Sequence, residues 1–296
     1  MSWDRVLYPL DLVGCNLFGR SFVGAFDING VLNLGHDLKK QGFSVTYNLL
    51  GEHVHDQILV DRATDATLQL IKEMSQENLG NVSCKPTLYG LSRSKDLFVG
   101  NIKKIIDLAW TRNIEIEFDA ENYDHIEDTF DVFSSFAFQG IYSNTVRQAV
   151  QAHLKNINDL MGKYGLWDKN LRIVKGSGVY DEAGRIIENR EDKIRQNYFQ
   201  ILRKNMINDR IPFVATVRDS NLAESVINIT GGSGFEFQML YGPLGRKLGR
   251  NLLRQGYPVR VYVPFVLDWC QDVWKPYGLR RAKTMRTLML KNFKIC

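Results

Sequence analysis

With 296 residues, 44% of them hydrophobic and 24% charged, the chain is long enough to bury a large core, in two domains or one α/β barrel. A net charge of +5, without a block of like charges or aromatic–basic interleaving, argues against a nucleic-acid groove. No apolar run reaches transmembrane length, and "MSWDRVLYPLDLVG" lacks the basic start and apolar run of a signal peptide.

The first forty or so residues, including "INGVLNLGHDLKKQGF", read as extra helix ahead of the first strand. Short apolar runs then alternate with longer helical patterns. Strands are predicted at 43–51 (FSVTYNLLG), 81–90 (NVSCKPTLYG), 114–121 (IEIEFDAE) and 134–141 (SSFAFQGI). They continue at 171–178 (LRIVKGSG), 212–217 (PFVATV), 235–240 (FEFQML) and 259–265 (VRVYVPF). Helical periodicity occupies 55–76, 94–112, 145–164, 190–206 and 243–255, and "HIEDTFDVF" supplies one small helix in the short gap after the third strand.

Strands alternating with helices imply βαβ units and a parallel sheet. Eight strands in about 250 residues match a (β/α)₈ barrel. The expected organisation is an N-terminal helical segment, 1–42, packed on a catalytic barrel, 43–296, whose C-terminal helix carries an arginine pair. A doubly wound open sheet is the runner-up; it would show a glycine-rich loop after the first strand, and "NLLGEHVH" has no GxGxxG.

In such a barrel the active site lies at the C-terminal strand ends. Those ends carry Lys85, Asp119, Glu121, Gln139, Arg172, Lys175, Thr216, Arg218, Asp219 and Tyr262, polar residues that apolar strands do not need. Beyond the last strand, "WKPYGLRRAKTM" sets Tyr277, Arg280 and Arg281 on one helix face at i, i+3 and i+4. Two adjacent guanidinium groups repel each other unless an anion sits between them, and their planar forks suit a carboxylate or a phosphate. A solvated basic face is the plainer reading of that stretch alone. Cys15, Cys84, Cys270 and Cys296 lack CxxC spacing and fit a reducing compartment. The five histidines form no HExxH motif, and no metal is expected; His53 and His55 read as a surface pair.

The stretches "LLGE" (49–52), "FDAE" (118–121), "RIVKG" (172–176), "FVAT" (213–216), "FEFQMLYG" (235–242), "GYPVRVYVPF" (256–265) and "YGLRR" (277–281) together resemble the proline dehydrogenase family. They stand in that family's order from about residue 40 onward, and "FEFQMLYG" followed by "VYVP" and Tyr-x-x-Arg-Arg is the most specific part. The resemblance implies a flavin-dependent barrel that oxidises L-proline, or a closely related cyclic imino acid, to Δ1-pyrroline-5-carboxylate. Hydride would pass to N5 of FAD, and electrons onward to a quinone or other acceptor.

Residue by residue, the resemblance implies that Arg280, Arg281 and Lys85 hold the substrate carboxylate. Tyr262 and Tyr277 would pack over the ring, Leu240 would wall the pocket, and Asp119 would orient Tyr262. Arg172 would sit near flavin N5, with Gln139, Lys175 and Thr216 as further flavin contacts. The chain departs from the family pattern at "VKGSGVYDEAG", where Tyr180 is displaced, and at "ATVRD", where Arg218 is the candidate pyrophosphate partner in place of a histidine. Thr284 stands where the family has a glutamate, and the segment between Tyr262 and Tyr277 is longer. The expected setting is the cytoplasm, with any membrane contact peripheral at the inner surface. Two alternatives stay open: a diverged barrel that binds without redox turnover, and a Schiff-base aldolase using Lys175.

Overall fold

The computed structural model describes residues 19–176, 187–208, 210–215, 220–270 and 277–279. Eight parallel strands close into a barrel in sequence order. They are β1 (Ser44–Leu49), β2 (Asn81–Cys84), β3 (Ile116–Phe118), β4 (Val146–Gln151), β5 (Leu171–Val174), β6 (Phe213–Ala215), β7 (Glu236–Leu240) and β8 (Val259–Phe265). The barrel closes where β1 pairs with β8 over six residues, from Ser44 opposite Arg260 to Leu49 opposite Phe265. The (β/α)₈ expectation holds, and the open doubly wound sheet is excluded by this closure.

Helix α1 (Ile28–Lys40) precedes the barrel, and α2 (Gln57–Glu73), α3 (Lys95–Thr111), α4 (Tyr123–Ala137), α5 (Ile157–Lys163), α6 (Glu191–Ile207), α7 (Ser220–Thr230) and α8 (Pro243–Arg254) fill the connections. Short polar side chains begin several of them. Asp27 accepts from the Gly30 amide at 2.6 Å, Asp56 from Ile58 at 2.8 Å and Ser94 from Leu97 at 3.1 Å, each satisfying a first-turn N–H that has no intrahelical partner. Helix α1 lies against β1 through Gly35. A Cβ there would meet Tyr47 Oη at 1.8 Å, so only glycine admits this approach.

The structure departs from the sequence pattern at one strand and one helix: the helix expected over 145–164 is β4 followed by the short α5, Ile157–Lys163. The segment 134–141 is not β4: its first four residues finish α4, and β4 lies at Val146–Gln151. The run "SSFAFQGI" mimics a strand, but Ile126, Phe130, Phe133 and Ala137 recur at helical spacing and are all buried. The true strand, "VRQAVQ", reads as polar because alternate side chains enter a polar barrel interior. Arg147, Ala149 and Gln151 share that inward parity, while Val146 and Val150 face the helices. Gln139 therefore sits exposed in the α4–β4 connection, at the opposite end of the barrel from the expected rim, where its amide donates to Ser135 O at 2.7 Å. Other strands end earlier than expected; β2 stops at Cys84 and turns through Pro86–Leu88.

The core has two shells. Between barrel and helices pack Val45, Tyr47, Val82, Phe118, Ile173, Phe237 and Val263 with their helix partners, all essentially unexposed. Inside the barrel the side chains are polar, among them Thr46, Ser83, Glu117, Arg147, Gln238 and Tyr262, each buried.

Candidate active site

The polar interior resolves into two tiers. Near the N-terminal strand ends, Arg147 grips Glu115 with two parallel bonds, Nε to Oε1 at 2.6 Å and Nη2 to Oε2 at 3.0 Å. Arg260 Nη2 donates to Glu236 at 3.1 Å. Phe213 lies between both cations, its ring centre 3.5 Å from the Arg147 guanidinium and 4.5 Å from that of Arg260. This tier matches charge for charge and plugs the barrel floor.

Toward the C-terminal ends the arrangement differs. Arg172 projects from β5 across the interior. Its Nη1 donates to Asp119 Oδ1 at 2.7 Å and lies 3.4 Å from Glu117 Oε1, and its Nε donates to Gln238 Oε1. The guanidinium also lies 4.7 Å from the centre of the Tyr262 ring. Tyr262 Oη stands 3.3 Å from Asp119 Oδ2 and 3.1 Å from Ser83 Oγ. Lys85 Nζ is 3.8 Å from both Asp119 Oδ2 and Glu121 Oε2, and donates to Ala120 O. Glu121 in turn accepts from the Thr87 amide at 2.8 Å and hydroxyl at 2.7 Å.

Electrostatics follow from this packing. Burial alone would raise the Asp119 carboxyl, but Lys85 and Arg172 outweigh it and hold the group below the ordinary carboxylate range. Glu117 goes the other way: burial and the neighbouring Asp119 push it up against the pull of Arg172. Burial also pushes the Tyr262 phenol well up, which keeps it a hydrogen-bond donor.

Of the sequence-derived candidates, Lys85, Asp119, Glu121, Arg172 and Tyr262 converge in this tier. Leu240 ends β7 beside it, with Tyr277 partly buried against the same core. Lys175 follows β5, and its Nζ pairs with Glu191 Oε1 at 2.7 Å. Thr216, Arg218, Arg280 and Arg281 lie outside the described residues, as do Asp219, Tyr180 and Thr284. Gln139 is not at the site. The amide that does end β4 is Gln151, and Glu117, Gln238 and His153 were also passed over in the sequence. For Gln151 and His153 the signal was their shared parity with Arg147 in "RQAVQAH"; for Glu117 and Gln238 it was the polar–apolar alternation of "IEIEFD" and "FEFQ", each a strand facing a polar interior.

His153 bears on what the rim holds. It is 2% exposed, burial lowers its proton affinity against a raising contact with the Lys175 backbone, and no side chain among the described residues bonds either ring nitrogen. Its ring fills the space beside Gly176, whose φ of +89° and 1.4 Å clearance from a would-be Cβ to His153 Nδ1 both demand glycine. A buried imidazole normally has a partner. A ligand with polar edges, lying over the β4 and β5 ends beside Gln151 and Lys175, fits against that imidazole.

The comparisons with known proteins give the family. Residues 31–283 match the family model described as proline dehydrogenase. The chain belongs to the proline dehydrogenase family. It is an enzyme of that family, an oxidoreductase of proline catabolism. Proline dehydrogenase 2 of Bacillus subtilis is 30% identical over 263 residues, covering 86% of this chain and 84% of that protein. Proline dehydrogenase of Deinococcus radiodurans is 26% identical over 275 residues, covering 90% and 86%.

Among solved structures, proline utilization A (PutA) from Bdellovibrio bacteriovorus, inactivated by N-propargylglycine, superposes with a TM-score of 0.73 at 18% identity. It covers 89% of this chain, which spans only 32% of that larger protein. A Bradyrhizobium japonicum PutA mutant gives a TM-score of 0.70 at 20% identity, covering 88% of this chain and 30% of its own. At these identities the likeness carries the barrel fold. Among the described residues no helix is long and apolar enough to cross a membrane, and no group of three or more His, Cys, Asp or Glu residues is placed to hold a metal.

Proposed function

We propose that this dehydrogenase oxidises L-proline, or a closely related cyclic imino acid, to Δ1-pyrroline-5-carboxylate with FAD as the hydride acceptor, electrons then passing to a quinone or another acceptor. The observation that carries the reading is the upper tier: Arg172 is fixed by Asp119 toward the C-terminal strand ends, with Tyr262 and Lys85 drawn to the same carboxylate. FAD supplies the redox chemistry when bound. The buried imidazole of His153, beside Gln151 and Gly176, suits a planar heterocycle with polar edges. Thr216 and Arg218 are further candidates to hold it, by the family resemblance.

Each remaining role is done by this chain's own side chains. Lys85 with Arg280 and Arg281 would clamp the substrate carboxylate, which fixes the ring and turns a bimolecular encounter into an oriented one. Tyr262, Tyr277 and Leu240 would enclose the ring and exclude water. Asp119 holds Tyr262 and Arg172 in a shared geometry, so that the guanidinium stands ready where negative charge grows during the reaction. Lys175 is a poor Schiff-base candidate, because its ammonium is paired with Glu191. Peripheral membrane contact is part of the proposal only so far as a quinone acceptor would require it.

Purified protein reconstituted with FAD should turn yellow and bleach on anaerobic addition of L-proline. Protein that refuses flavin, or flavin that proline does not reduce, sinks the reading. Arg280→Ala and Arg281→Ala should each weaken proline affinity roughly thirtyfold or more, as expected when one partner of a buried charge pair is removed. Pyrrolidine, which lacks the carboxylate, should lose little further in those variants. Borohydride trapping of a carbonyl substrate on Lys175 would instead favour the aldolase alternative.

A further inference from the structure

The "FEFQML" stretch delivers Leu240 to the mouth, but its buried glutamine, Gln238, does something separate. Its amide Oε1 accepts from Arg172 Nε, while Nε2 lies 3.3 Å from Thr46 Oγ1 and 3.2 Å from Glu117 Oε2. Flipping the amide would set one donor against another at Arg172 and leave a carboxyl oxygen facing a carbonyl oxygen, so the orientation is fixed. Strands β1, β3, β5 and β7 thus meet on one amide in the middle of the barrel. Glu117 completes the contact: it is fully buried, and its Oε1 is 3.4 Å from Arg172 Nη1. Arg172 is therefore shared by two carboxyls, Asp119 toward the mouth and Glu117 below.

We propose that Gln238 and Glu117 are a positioning pair for Arg172: the amide fixes the plane of the guanidinium, and the Glu117 carboxyl sets how much positive charge it presents at the mouth. The inference deepens the proposed function, resting on Arg172 as the cation beside the flavin. Among the described residues, two cations, Lys85 and Arg172, face three carboxyls in this tier, Glu117, Asp119 and Glu121. Glu117 is the one whose ionisation changes that balance. The charged and titratable groups that bear on it are Arg172 on β5, Arg147 on β4, Tyr262 on β8, Cys84 on β2 and Asp119 just past the end of its own strand. Burial and Asp119 push its carboxyl up, so it takes a proton more readily than an exposed glutamate.

The test compares Glu117→Gln, Gln238→Glu and Gln238→Leu in the flavin-loaded protein, reading the flavin midpoint potential across pH beside kcat and KM. Glu117→Gln should raise the potential at high pH, and the difference should vanish as wild-type Glu117 takes up its proton. Gln238→Glu, which keeps the acceptor for Arg172 Nε but adds negative charge, should shift the potential the opposite way. Gln238→Leu should lower kcat roughly tenfold, the scale of one charge-assisted hydrogen bond, with KM moving less. Gln238→Glu should retain more of the rate than Gln238→Leu. Potentials that match wild type in all three variants at every pH would overturn the inference. In the ligand-free protein, urea unfolding of Gln238→Leu, Arg172→Met and the double variant should be non-additive. Strict additivity there overturns the pair whether or not flavin binds, whereas wild-type protein that takes no flavin overturns only the functional reading.

Discussion

The barrel holds two buried arginine tiers that differ in one respect. On the floor, Arg147 and Arg260 face Glu115 and Glu236, and each cation also donates to backbone carbonyls, Arg147 to Leu171 O at 2.7 Å and Arg260 to Val45 O at 2.7 Å. Most of their donors go to closing the barrel, with Arg260 Nε and Glu236 Oε1 left buried and unpartnered among the described residues. In the upper tier Arg172 has no such backbone bond among those described; its partners are all side chains, and the carboxyls outnumber the cations. A cation held by side chains is freer to respond to a ligand than one tied to the backbone of neighbouring strands. Burying a charge pair does not by itself mark a functional site; what sets the upper tier apart among the described residues is its surplus of carboxyls over cations.

Arg172→Ala should break the comparison most severely. It leaves Asp119 and Glu117 buried without their shared cation, and in the proposed chemistry it removes the charge opposite the developing anion. Stopped-flow reduction by proline should slow by about 10²–10³, with substrate affinity changing less. A change in KM alone would refute the role.

Arg147→Ala tests the floor and should act on stability instead. Removing one partner of a buried pair costs about 3–5 kcal/mol, read as a lower urea midpoint. Turnover per folded, flavin-loaded molecule should stay at the wild-type value. If turnover collapses while stability holds, the two tiers have been assigned the wrong way round.

Asp119→Asn sharpens the upper tier through pH. The Asp119 carboxyl is held below its ordinary value, so the native state binds that proton more weakly than the unfolded chain. Its contribution to stability is present above the unfolded value, about pH 4, and is lost as pH falls through the lower folded one. Wild type should therefore lose stability on acidification below about pH 4 more steeply than Asp119→Asn. Equal acid slopes would mean that Lys85 and Arg172 do not act on this carboxyl.

Lys95 gives the smallest expected effect. It bridges Asp128 and Asp131 on the outer helices at 3.2 and 2.6 Å, with its side chain 39% exposed. Lys95→Met should cost about 0.2–1 kcal/mol, less in high salt. A loss comparable to Arg147→Ala would show that burial is not what separates the barrel pairs from the surface ones.

Most of the framework was legible in the chain. The strands that read as apolar runs, such as "VRVYVPF" and "FEFQML", lie within a residue of their expected places, because outward residues such as Phe237, Met239, Val261 and Val263 pack against helices while Tyr262 and Leu240 keep the inward faces partly apolar. The long helices α2, α3, α6 and α8 followed from their one-sided burial period for the same reason. The strand that failed carries polar residues on both faces, Arg147 and Gln151 inward and Gln148 outward. "VRQAVQ" puts Arg147 and Gln151 into the barrel, and a pattern that reports burial as apolarity cannot see a strand whose buried face is charged.

Composition and motif order by themselves determined the family, the parallel barrel and the short list Lys85, Asp119, Arg172 and Tyr262. Only the tertiary structure decided that Gln139 lies at the wrong end and that Gln151 ends β4. It alone joined Arg172 to Asp119, 53 residues away, and to Gln238, 66 residues away. Local periodicity tells which face of a strand is covered, because that depends on the residues beside it in sequence. Which inward side chains meet depends on the register of eight strands and on the closure of β1 against β8, and no single segment carries that information.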